Sequence, residues 1–174
     1  MNEMKEPENV CREKVFSEIF RQNSQDLFNF LYYKYGETNN PQDIVQAAFE
    51  KLWKNCKNVM PGKAKSFLFT VANNEMLNSI SRKKTVLNYK LHNPKDYTIE
   101  SPEYLYEEKE YFDRLQQAIE ELTEDQRVTF LLNKIDGKKH QEIAEILGIS
   151  KKAVEKRIYT ALKILREKVE IDKI

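Results

Sequence analysis

Apolar residues recur along this chain at intervals of three and four, the period of helices with one buried face. Over residues 11–35, Val15, Phe16, Ile19 and Phe20, then Leu27, Phe28, Leu31 and Tyr32, follow that spacing. A break is expected near Asn23-Ser24, and Gly36 ends the element. Asn40-Pro41 opens a second helix, with a capping Asn, Pro at the first position and Asp43 in the first turn. Its apolar stripe is Ile44, Val45, Ala48, Phe49, Leu52, Trp53 and Cys56, and its polar face carries Gln42, Gln46, Glu50, Lys51 and Lys54. Pro61-Gly62 marks a turn before a third helix over 63–84, whose buried side is read as Ala64, Phe67, Leu68, Val71, Ala72 and Ile80. Residues 85–108 show no period, and Pro94 and Pro102 interrupt them, so they read as a linker. An amphipathic helix over 111–122 follows, with Phe112, Leu115, Ala118, Ile119 and Leu122. Thr123-Glu124-Asp125-Gln126 is then a capping box for a helix that ends at Asp136-Gly137.

The most informative pattern lies between His140 and Ile158. Ile143, Ala144 and Leu147 give one short helix an apolar face, and Gly148 follows where a helix end needs a left-handed residue. Ser150 can cap a second helix, running to about Val169, whose apolar face is Val154, Ile158, Ala161 and Leu165. Ala144 is small where two crossing helices must approach closely. This is the pattern of a helix-turn-helix, whose second helix enters the major groove of DNA. A plain helical hairpin shares the pattern but has no need of the polar face found here. Lys151, Lys152, Lys156, Arg157 and Lys163 stand against a single acid, Glu155. Such a face suits phosphate.

Charge segregation sharpens this picture. The net charge is only +1, but residues 81–93 hold four bases and no acid, residues 94–127 four bases and eleven acids, and residues 128–174 eleven bases and seven acids. A nucleic acid would therefore meet two basic regions flanking an acidic one. With 174 residues there is material for one or two small domains, and the scarcity of Gly (4) and Pro (5) favours an all-α chain. No apolar run reaches the roughly 20 residues that cross a bilayer, so no membrane insertion is expected. The acidic, polar start is unlike a signal peptide.

Candidate chemistry is sparse. Three asparagines, Asn73, Asn74 and Asn78, stand on the third helix with Lys63, Lys65, Arg82 and Lys83. Asparagine is a poor helix former, so contact with bases or backbone is one explanation and a solvated face the other. His92 and His140 are the only histidines, and no paired carboxylates, phosphate-cradling glycine loop or nucleophile constellation can be picked out, so no enzyme, cofactor or metal is expected. Cys11 and Cys56, far apart and without a CxxC partner, read as reduced core thiols of a cytoplasmic protein.

Two blocks resemble a known family. Asp43-Ile44-Val45-Gln46-Ala47-Ala48-Phe49-Glu50-Lys51-Leu52-Trp53-Lys54, followed by residues 64–74, is similar to the D-L-V-Q-E-x-F-x-x-x-W and W-L-x-x-I-A-x-N helices of RNA polymerase sigma factors of the extracytoplasmic-function type, within the sigma-70 family. Residues 122–166 resemble that family's second DNA-binding region at Leu122, Arg127, Gly137, Glu142, Ile143, Ala144, Leu147, Gly148, Ile149, Ser150, Val154 and Arg157. The resemblance implies an all-α protein of two small helical domains: 10–93 for polymerase docking and −10 recognition and melting, an acidic linker over 94–110, and a helix-turn-helix domain over 111–174 for the −35 element. It implies that Asp43, Gln46, Glu50 and Trp53 dock on the β′ clamp helices of core RNA polymerase, and that the β flap is a further partner. It places Lys63, Lys65, Asn73, Asn74, Asn78, Arg82 and Lys83 on the melted downstream strand of promoter DNA. Lys138, Lys151, Lys152, Glu155, Lys156, Arg157 and Tyr159 fall on the upstream duplex, with Arg157 and Lys138 expected on phosphate. An anti-sigma factor is a further implied partner.

The chain departs from the pattern at Ala47, Phe67, Thr123, Ala153 and Glu155. Glu155 matters most, because an acid can accept from cytosine N4 but repels phosphate. The competing reading is a helix-turn-helix regulator that acts without docking on polymerase. Residues 10–84 discriminate, because such a regulator would carry a receiver or ligand-binding domain there and no alternating β/α pattern is found.

Overall fold

A computed structural model of the chain describes residues 9–87 and 106–169, with side chains over 9–82 and 113–169. The described residues form seven α-helices and no strand: α1 Glu13–Tyr35, α2 Pro41–Lys54, α3 Ala64–Leu87, α4 Tyr106–Glu120, α5 Glu124–Lys134, α6 His140–Leu147 and α7 Lys151–Val169. The all-α expectation therefore holds over them. The chain divides into two compact units, with the main boundary between Lys84 and Thr85 and residues 145–148 grouped with the first. Most of the expected linker, its prolines and the Lys83 side chain lie outside the described residues.

In the first unit α1 and α2 pack together, and α3 joins them. Leu27, Leu31, Leu52 and Leu68 are each fully buried, at about 1.5–3 kcal/mol of hydrophobic stabilisation apiece. The break expected at Asn23-Ser24 does not occur. Asn23 is buried, and its Nδ2 donates to the Ile19 carbonyl at 2.8 Å, so the amide is satisfied along α1 and the helix runs through. Gly36 ends α1 with φ 77°, its N–H donating to Tyr32 O. Asn40 occupies the N-cap of α2 as expected, but in the left-handed conformation (φ 52°), and its side chain makes no capping bond. Asparagine serves there because it tolerates that backbone region.

The buried side of α3 is Ala64, Leu68, Phe69, Ala72 and Met76, which corrects the expected set. Phe67, Val71 and Ile80 are only half-buried, while Phe69 meets the Phe30 ring at 5.4 Å.

The cysteines are also corrected. Cys11 precedes α1 and Cys56 follows α2, and packing of the two helices brings their Cα atoms to 4.9 Å, where they form a disulfide. Neither is a core thiol, since both are half-buried at the edge of the unit.

The second unit is built on packing of α7 against α4 and α5. Ala118, Leu122, Phe130, Ala161, Leu165 and Val169 make one buried cluster. Thr123 and Gln126 form the expected capping box in both directions. Arg127 donates to the Glu120 carbonyl at 3.2 Å, placing a cation on the last turn of α4. That helix starts at Tyr106, five residues before the expected 111. Tyr106-Glu107-Glu108-Lys109-Glu110 contains good helix formers but no apolar period to reveal them.

Candidate nucleic-acid and docking interfaces

The helix-turn-helix forms from the local chemistry of its own segment. At its entrance Asn133 Nδ2 donates to Lys138 O at 2.9 Å and Lys138 N to Leu132 O at 3.0 Å, closing the loop through Gly137 (φ 65°). The Lys139 N–H donates to the Glu142 carboxylate at 2.8 Å, which anchors the start of α6. Gly148 takes φ 65°, and the Ile149 N–H returns to Ala144 O at 3.0 Å, so the chain leaves α6 in a tight turn. Ser150 Oγ then accepts from Ala153 N at 3.2 Å and starts α7. Along α7, Val154, Ile158, Ala161 and Leu165 face the core, as expected.

The opposite face of α7 separates its charges into committed and available ones. Arg157 is committed: its Nη2 meets Asp125 Oδ2 at 2.6 Å, tying α7 to the start of α5. Glu155 stands between His140 Nδ1 at 3.6 Å and Lys151 Nζ at 3.8 Å, so the lysine partly offsets its charge within the motif. Lys152 and Lys156 are exposed, one turn apart, and make no ion pair among the described residues. Tyr159 is 72% exposed on the following turn. The seven residues singled out for duplex contact thus resolve into an outward group of Lys151, Lys152, Glu155, Lys156 and Tyr159 and a structurally engaged pair. That pair is Arg157, held by Asp125, and half-buried Lys138, fixed through its backbone.

On α3 the asparagines also divide. Asn73 is half-buried, and its Oδ1 accepts from Tyr35 OH at 2.7 Å and Lys34 Nζ at 3.1 Å, fastening α3 to the end of α1. Asn74, Asn78 and Arg82 are exposed on the same helix, Lys63 is exposed just before it, and Lys65 is half-buried. Sequence reasoning grouped the three asparagines because spacing alone does not show which one meets Tyr35.

On α2, Val45, Ala48, Phe49 and Leu52 turn inward, while Asp43, Gln46, Glu50 and Trp53 are exposed. Between α1 and α2 lies an open groove of about 620 Å³. Phe16, Phe20, Val45, Phe49 and Trp53 line it with apolar surface, and Gln42, Gln46, Glu50 and Lys54 rim it. The Phe16 ring is 5.0 Å from Trp53 and 6.1 Å from Phe49, and Phe20 is 4.8 Å from Phe49. Trp53 and Phe20 remain 47% and 45% exposed, an unusual amount of aromatic surface for helices that already have a core. Gln46, Glu50 and Trp53 are thus brought together, while Asp43 is exposed on the first turn of the same helix. The α1 aromatics Phe16 and Phe20 follow the helical spacing in the sequence, and only the packing of α1 on α2 shows them as part of this surface.

No group of His, Cys, Asp or Glu able to hold a metal occurs among the described residues, and none of their helices is long and apolar enough to cross a membrane.

Comparison with known proteins agrees with this division. The family profile described as sigma-70 region 2 matches residues 19–86, and that described as sigma-70, region 4 matches residues 112–165. The chain is similar to the ECF RNA polymerase sigma factor SigE of Mycolicibacterium smegmatis, 25% identical over 157 residues that cover 87% of this chain. It is similar to the ECF RNA polymerase sigma factor SigX of Bacillus subtilis, 24% identical over 168 residues, 91% of this chain and 86% of SigX. Its fold is similar to that of the sigma factor RpoE in complex with the anti-sigma factor NepR from Bartonella quintana, with TM-score 0.61, 22% identity, and coverage of 92% of this chain and 99% of that one. CnrH, solved with the cytosolic domain of CnrY, is also similar, with TM-score 0.57, 22% identity, and coverage of 93% and 92%. The matched stretch spans 60% of the length of SigE.

Proposed function

The chain belongs to the sigma-70 family, and on that premise we propose that it is a sigma factor of the extracytoplasmic-function type, which binds core RNA polymerase and directs it to promoters. The observation that carries this reading is the presence on one chain of an aromatic docking groove and a helix-turn-helix with available lysines, each inside its own matched region. In it, Gln46, Glu50 and Trp53, with Asp43 beside them, dock on the β′ clamp helices, burying the aromatic surface left open on α1 and α2. The second domain meets the β flap. Lys63, Lys65, Asn74, Asn78, Arg82 and Lys83 hold the melted −10 strand, since exposed amides and cations beside a loop can bind both bases and backbone. Asn73 positions that surface by fixing α3 to α1. Lys152 and Lys156 meet the −35 duplex with Lys151 and Tyr159, and Glu155, already beside the Lys151 ammonium, is free to select at a base edge.

The alternative of a regulator that does not dock on polymerase is disfavoured, because a region 2 match occupies residues 19–86, where such a protein would carry its sensing domain. The similar folds of RpoE and CnrH were solved with NepR and CnrY, which supports a protein partner of the anti-sigma kind for this chain as well. On this reading the chain works in the cytoplasm, beside polymerase.

Transcription reconstituted with core polymerase tests the proposal. Adding this chain should give initiation at discrete sites on fragments of its own genome, and replacing Trp53 by Ala should reduce it. A chain that leaves core polymerase without any discrete start site, on any such fragment, is not a sigma factor.

A further inference from the structure

The Cys11–Cys56 disulfide closes one end of the α1–α2 pair, and that end carries the Phe16–Trp53 wall of the aromatic groove. Cys11 immediately precedes Arg12, the N-cap of α1. Phe16 lies in the first turn after it, with its N–H donating to Arg12 O. The first turn of a helix is where local opening costs least. Cys56 lies two residues beyond the end of α2, three beyond Trp53. The bond therefore fixes both ends of chain that carry the groove's aromatic wall. The opposite ends of the two helices are joined by the short turn through Gly36 and Asn40.

Both cysteines are half-buried, within reach of a small thiol or disulfide, and they are the only two in the chain, so the pair has no other cysteine with which to exchange. Chains that work beside polymerase meet a reducing medium, where disulfides are characteristically transient and regulatory.

From these placements we infer that Cys11 and Cys56 form a reversible thiol–disulfide site that controls how firmly the aromatic groove is preformed for its partner. The inference rests on the reading of that groove as the polymerase-docking surface. Oxidation proceeds by exchange with a small-molecule disulfide. One thiolate attacks it, forming a mixed disulfide and releasing one thiol. The second cysteine attacks the mixed disulfide, forming the Cys11–Cys56 bond and releasing the second thiol. The protein gives up two electrons and two protons, and the small disulfide takes both as its own S–S bond is lost. In the closed state Phe16 is held on Phe49 and Trp53. In the open state the first turn of α1 frays and must be ordered again when a partner docks, which weakens binding.

The test uses the full chain equilibrated in oxidised glutathione or in dithiothreitol, with intact mass recording the gain or loss of the bond. Hydrogen exchange at the amides of residues 16–20 should quicken about tenfold on reduction. Affinity for core polymerase should fall by about the same factor. The chain with Cys11→Ser and Cys56→Ser should behave like the reduced protein in both media. If oxidised glutathione does not close the bond, the inference is overturned. It is overturned equally if the bond closes while exchange or affinity stays the same. If core polymerase binds neither form, the docking reading fails by itself, and the exchange rates alone then decide whether the bond fixes α1.

Discussion

Substituting Lys152 and Lys156 together by alanine should change how binding to duplex DNA responds to salt, and the size of that change can be set from the structure. Both lysines are exposed, one turn apart on α7, and neither is engaged by an acid among the described residues. Each is therefore counted as one phosphate contact, and each contact contributes about 0.9 to the slope of log affinity against log salt. Losing both removes about 1.8 from the slope. Between 50 and 200 mM salt, a fourfold change, the advantage of the unmodified chain over the double variant should shrink about twelvefold. Lys151→Ala is the internal comparison: its ammonium already shares the Glu155 carboxylate at 3.8 Å, so it should lower the slope by less than either of the other two. Fluorescence anisotropy with a labelled duplex, titrated at several salt concentrations, reads these slopes directly. Parallel lines for the unmodified chain and the double variant would mean that this face of α7 does not meet phosphate, and the assignment of charges on it would be wrong.

Other perturbations follow from the packing. Reducing Cys11–Cys56 should destabilise the first unit by up to about 4 kcal/mol, the entropy of closing a loop of 45 residues; urea unfolding followed on Trp53, the only tryptophan, measures it, and equal midpoints with and without reductant would count against a closed bond. Asn73→Ala should cost about 1 kcal/mol in the same assay by removing the acceptor of the Tyr35 OH and Lys34 Nζ bonds, whereas Asn74→Ala should leave stability unchanged and weaken binding of a single-stranded −10 oligonucleotide by the polymerase-bound chain. Thr123→Ala should destabilise the second unit by about 1 kcal/mol through loss of the capping box, read by thermal unfolding of the chain; no change would mean that α5 starts without it.

The two helical regions and the helix-turn-helix were legible because their signals are local. The run from Leu147 to Ser150 contains its own turn, its own cap and its own apolar register, and Thr123 to Gln126 spells out both halves of a capping box. What the sequence did not disclose depends on contacts between elements. The disulfide joins residues 45 apart, and nothing near either cysteine signals it; it exists because packing of α1 on α2 brings the chain before α1 beside the chain after α2. Asn73 and Asn74 are adjacent in sequence, yet one fastens two helices and the other faces out, and only the position of Tyr35 separates them. Arg157, expected on phosphate, also meets Asp125, 32 residues earlier, a contact that spacing does not announce. Asn23 misled for a local reason: a residue that often interrupts helices was accommodated by bonding to its own helix one turn back. The early start of α4 escaped detection because helix propensity without an apolar stripe leaves no periodic signal.

The two faces of α7 also bear on how such a chain could diversify. Val154, Ile158, Ala161 and Leu165 are buried, whereas positions 151, 152, 155, 156 and 159 are exposed. Substitutions at the exposed positions lie away from the buried cluster, and surface changes of that kind usually alter stability by less than about 0.5 kcal/mol. On the proposed reading of α7 as the duplex-reading helix, a duplicated copy could therefore acquire a new genomic address by a few changes at those five positions, while inheriting its scaffold and its aromatic groove intact. The helix keeps inheritance and novelty on opposite sides, so that selection can act on one without disturbing the other.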